Sequence, residues 1–169
     1  MAPNQVAHWH DFFLTVGGGA AALTGLVVVA ISIHLTIITQ DPVLRHRARM
    51  ILVGLTGVFM RCSLALMGGQ DGRAVAIEIF VVCLVITITG WLSYAPVSKV
   101  PAEHRASLLR TVGATACYSF EMLGAALLFS GVTWGLTMAA VAMVANFYFM
   151  ISGSWLLLLA VPQDETRSS

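Results

Sequence analysis

The chain has 169 residues, 58% of them hydrophobic and 10% charged, with a mean hydropathy of +0.86, whereas an ordinary soluble domain carries roughly 25% charged residues. A formal net charge of +1 excludes the basic excess of a nucleic-acid-binding surface, and no run of like charges marks an interaction tail. Composition therefore leaves a polytopic membrane protein with the lipid bilayer as its first partner, read as one all-α transmembrane domain over residues 1–169.

Crossing about 30 Å of hydrocarbon takes roughly 20 helical residues. Apolar runs of that length cover residues 11–39, 45–68, 73–95, 108–130 and 134–161, which predicts a bundle of five transmembrane helices. A transmembrane barrel is excluded because its short alternating segments do not occur. No Lys or Arg precedes the first run, and it exceeds the apolar stretch of a signal peptide, so it is read as a span. Within it, Gly17, Ala21 and Gly25 recur at i, i+4, i+8, a stripe of small residues of the kind through which membrane helices approach one another. "VGGG" (16–19) falls inside this apolar run, which fits helix packing and not a phosphate loop. At the mouth of the span, "AHWHDFF" brings His8, His10 and Asp11 together. An extended H-x-H segment could present two imidazoles to one metal, but no further ligand stands at zinc-like spacing. A solvated interfacial segment anchored by Trp9 is the preferred reading.

After span one, "TQDPVLRHR" offers Asp41 as an N-cap and Pro42 as the first helical residue, so helix two starts before its apolar run. Arg45, Arg47 and Arg49 at this connection, with Lys99, Arg105 and Arg110 around the one between spans three and four, outweigh Arg73 on the opposite side. By the positive-inside rule these connections face the cytoplasm, which puts the N-terminus outside and the C-terminus, with Arg167, in the cytoplasm. Span two holds Arg61, the sole charge between Arg49 and Asp71. Gly54, Gly57, Arg61 and Gly68 share one face of a 3.6-residue helix, so the arginine lies on a stripe of small residues and is expected to point into protein.

Two acids stand at matching depth, Glu78 in span three and Glu121 in span four. At roughly 1.5 Å per residue, Arg61, Glu78 and Glu121 lie about 10, 7 and 13 Å from the outer ends of their helices, within reach of an arginine side chain. Gly113, Cys117, Glu121 and Gly124 share a face of span four, and Asn146 in span five could complete a polar shell. The central expectation is an intramembrane cluster of Arg61, Glu78, Glu121 and Asn146. An ion pair that fixes helix packing is its plainer reading. A protonatable site in an ion or proton pathway is the sharper one, because one guanidinium then faces two carboxyls. Cys62, Cys83 and Cys117 fall within spans without a CxxC spacing and read as small apolar packing residues.

The middles of spans two to five hold no histidine for haem, and no HExxH or GxSxG motif is present. Neither a cofactor nor enzymatic activity is expected. "WHDFF" (Trp9–Phe13) and "AALTGLVVVAISIHL" (Ala21–Leu35) resemble a family of small multi-pass bacterial membrane proteins, some of them described as modulators of a membrane protease. The resemblance implies a bacterial cytoplasmic (inner) membrane and a non-enzymatic role, and it carries no established activity or site residues. Small-residue stripes on several helices exceed what one monomer needs, so a homo-oligomer or a complex with another membrane protein is expected. The functional expectation is a scaffold or accessory subunit, with a small ion channel or proton-linked carrier built on the Arg61 cluster as the alternative.

Overall fold

The computed structural model describes residues 9–67, 70–94 and 104–165, with side chains for all of these except 104–107 and 156–165. Regular structure among them is helical throughout: α1 His10–Ile33, α2 Leu35–Gln40, α3 Pro42–Ala65, α4 Gly72–Tyr94, α5 His104–Phe129 and α6 Trp134–Glu165. All but the short α2 are long and apolar enough to cross a membrane, so the architecture is the expected five-span helical bundle.

The first span differs from its expected form. It breaks at His34 (φ −109°, ψ 26°), which separates α1 from α2. Just before the break the Ser32 hydroxyl donates to the Val28 carbonyl at 2.8 Å, a back-bond of the kind that bends helices. The redirected α2 buries Ile38 in a cluster with Leu44 and Ala48 of α3. The start of α3 is as the sequence indicates: Asp41 Oδ1 accepts from Val43 N–H at 2.7 Å and Leu44 N–H at 3.4 Å, and Pro42 follows the cap. Asp71 likewise opens α4 by accepting from Ala74 N–H at 2.8 Å. The α5–α6 turn closes on Gly131 (φ 90°), where Gly131 N–H bonds Leu128 O and Val132 N–H bonds Leu127 O, both at 3.0 Å. That pair of bonds is a Schellman cap, which needs the left-handed conformation glycine adopts without strain.

α3 is the central element, packing along α1, α2, α4 and α6, while α5 packs chiefly along α4 and α6. Backbones come closest between α5 and α6. A Cβ on Gly124 would stand 2.7 Å from the Ala139 nitrogen and 2.8 Å from the Gly135 oxygen, and one on Gly135 would meet the Leu128 nitrogen. Side chains fill the other approaches: Cys62 lies against Gly17, Met150 against Gly54 and Ile86 against Gly57.

Two expected packing positions are corrected. Ala21 and Gly25 are exposed, and a Cβ on Gly25 would meet nothing within 4 Å. The buried side of α1 instead follows Phe13, Gly17, Ala20 and Val27. Each four-residue step overshoots a full turn by about 40°, so a stripe begun at Gly17 has rotated away from α3 by Gly25. Gly113 keeps its expected packing role: it is half-buried, and a Cβ on it would meet the Phe149 ring of α6 at 3.7 Å. Gly68 lies outside the described residues. The glycines that do pack are used within the chain, so these stripes supply no argument for self-association.

Candidate functional site

Arg61 is brought to the middle of the bundle by the most deeply packed helix. It stands on the buried face of α3 with Gly54, Gly57, Val58 and Ala65, and it has no solvent exposure. Its Nη1 lies 3.1 Å from Oε2 of Glu121, which is equally buried, and donates to Cys83 Sγ at 2.9 Å. The glutamate contact is an ion pair without an aligned hydrogen bond. The guanidinium carbon lies 5.4 Å from the centre of the Tyr118 ring, a cation–π distance that spreads the charge over an aromatic face. Asn146, also without exposure, lies beside Tyr118. α3, α4, α5 and α6 thus each contribute one or more polar side chains to a single interior point. Phe13, Val58, Val75, Leu128 and Met143 belong to the apolar core around it.

The expected pairing of Arg61 with Glu121 is present, and Asn146 is on the same site. Glu78 is not. Its Oε1 accepts from the Gln70 amide at 2.7 Å, and it is only half-buried. The face that α4 buries runs through Val75, Ala76, Ile79, Cys83, Ile86 and Gly90. Glu78 lies five residues before Cys83, roughly 140° away around the helix, and so cannot reach Arg61's side of it. The site is therefore one guanidinium against one carboxylate, and the excess acid on which the protonatable reading drew is absent from it.

Cys83 was expected to be a packing residue, and here it is a hydrogen-bond acceptor for a cation. Its helix carried the signal: Ala76, Cys83 and Gly90 recur every seven residues and form a buried small-residue stripe. Tyr118 stands three residues before Glu121, on the same helical face, and so was also findable. Cys62 meets its expected role more nearly, buried against Met143 with the two sulfurs 3.6 Å apart, and Cys117 is half-buried.

Nε and Nη2 of Arg61 make no hydrogen bond to the described residues, while the Tyr118 hydroxyl and the Asn146 amide lie within hydrogen-bonding reach of each other, as do Glu121 and Cys83. Arg61, Glu121 and Asn146 are the polar side chains that the described core buries without exposure, and their concentration at one point is the feature that separates the site from the rest of the core.

The His8, His10 and Asp11 candidate is not assembled as a metal site among the described residues. His8 lies outside them, His10 Nδ1 and Asp11 Oδ1 face each other at 3.3 Å on an exposed first turn, and no group of three ligating side chains occurs among the described residues. Comparisons of this chain with protein-family models, with curated proteins and with solved structures found no match.

Proposed function

We propose that this chain is a non-enzymatic integral membrane protein, a scaffold or accessory subunit acting through contacts made within a bacterial cytoplasmic membrane, and that the Arg61–Glu121 pair locks its helices in one arrangement. The observation that carries this reading is the enclosure of the pair. Both side chains have no exposure, and both stand on faces that also carry closely packed glycines. A buried pair of this kind contributes little net stability against an apolar replacement, but losing one partner is costly. That asymmetry suits a device that selects one packing over others. On the outside, an almost wholly apolar groove of about 580 Å³ between α5 and α6, lined by Phe120, Leu127, Trp134, Met138 and Val141 among others, offers a surface for contacts within the bilayer.

One observation favours the alternative, an ion or proton pathway through the same residues. An ion pair alone does not require Asn146 and the Tyr118 hydroxyl beside it, whereas a hydrated pathway would use such groups as hydrogen-bonding partners. Flux of protons and common ions into liposomes containing the purified chain separates the two. Flux no greater than in empty liposomes is the result expected here. Flux that is abolished by Glu121→Gln with folding intact overturns the scaffold reading and selects the pathway.

A further inference from the structure

A second polar feature lies at the opposite end of α3. Pro42, Arg45, His46 and Arg49 of α3 and Thr89, Leu92 and Ser93 of α4 line an open crevice of about 570 Å³. Arg45 and Arg49 stand one turn apart on the same face of α3 and are exposed. Among the described residues no carboxylate lies within ion-pair distance of either. His46 faces the Ser93 backbone and joins the two helices at the back of the crevice. Arg47 and Arg110 line the adjoining crevice between α3, α5 and α6.

We infer that this crevice binds the phosphate of an anionic lipid headgroup, with Arg45 and Arg49 as its charged ligands and the Ser93 hydroxyl beside them. Paired arginines suit a phosphate because each guanidinium presents a planar fork of donors. Basic crevices between transmembrane helices are recurrent headgroup sites. The surface leading away from this one points to a lipid and not to a free anion. Leu92, Ile88, Val85, Leu84 and Val81 of α4 are all 40% exposed or more, and their spacing makes a continuous apolar strip descending from the crevice. A headgroup held by the arginines would lay an acyl chain along that strip.

The test is native mass spectrometry of the full chain in detergent, offered phosphatidylglycerol and phosphatidylcholine of equal chain length in equal amounts. Phosphatidylglycerol is expected to be retained roughly tenfold or more over phosphatidylcholine, the scale set by two arginines facing one anionic headgroup. Arg45→Gln/Arg49→Gln is expected to erase that preference with the unfolding temperature in plain detergent unchanged, since both residues are exposed. Equal retention of the two lipids by the wild-type chain overturns the inference without any variant, as does an undiminished preference in the double variant. Inorganic phosphate at millimolar concentration is expected neither to displace the bound lipid nor to raise the unfolding temperature. Displacement or stabilisation by phosphate alone overturns the lipid assignment in favour of a soluble anion.

Discussion

Arg61→Ala strips Glu121 of its counter-charge at a point with no solvent exposure, and stability should fall by about 3–5 kcal/mol, the scale for breaking a buried pair from one side. Arg61→Met combined with Glu121→Leu removes both charges and keeps much of the volume, so it should recover most of that loss. Reversible unfolding in mixed micelles measures these variants together with the single changes Arg61→Met and Glu121→Leu. If the double variant is as unstable as the two single changes added together, the pair is not the coupling element assigned to it. At this scale the sequence was informative about the pair, because an isolated arginine in an apolar run has few places to go and the depth of a helical residue can be counted. It misled about Glu78, which has a suitable depth and an unsuitable azimuth. Depth follows from counting residues, whereas azimuth depends on which face of α4 its neighbours cover.

The α5–α6 contact is the element whose geometry leaves least room for change. Gly135→Ala forces a methyl against the Leu128 nitrogen and the Gly124 oxygen, and overpacking of this kind costs about 1–3 kcal/mol. Gly25→Ala enters open space on α1 and should be neutral or stabilising by up to about 1 kcal/mol through helix propensity. Thermal unfolding of the two variants side by side checks the contrast, and equal destabilisation would contradict the assignment of faces. Gly131→Ala should cost about 1–2 kcal/mol, because a left-handed residue then acquires a Cβ. The cap at Asp41 was legible since capping is local chemistry. The partnership of Gly124 with Gly135 was not, because it joins two helices whose relative rotation no local rule specifies.

Orientation belongs to the whole molecule, and the charge distribution argues for it. In a chain carrying Cys117→Ala, Gln70→Cys should react with a membrane-impermeant maleimide from outside the cell, and Ser169→Cys only after the membrane is opened. The other two native cysteines, Cys62 and Cys83, have no exposure and stay silent. Labelling in the reverse order would invert the topology and place the basic crevice of α3 and α4 on the outer face. The headgroup inference survives either orientation, since it depends on the arginines and the apolar strip and not on the compartment.

The solvent of this chain, its helical class and the number of its spans were determined by the sequence alone, because hydrocarbon tolerates unpaired backbone groups so poorly that a long apolar run has almost no alternative to a helix. The presence of a buried charge and its approximate depth follow from the same constraint. Glu121 and Asn146 were expected beside Arg61, but the exclusion of Glu78 and the inclusion of Cys83 and Tyr118 were decided only in the tertiary structure. Glu121, Cys83, Tyr118 and Asn146 come from three helices other than α3, and their convergence depends on the rotation of each helix about its axis. Packing of whole faces sets that rotation, and at Gly17, Gly54, Gly57, Gly124 and Gly135 a side chain or backbone from a neighbouring helix sets it.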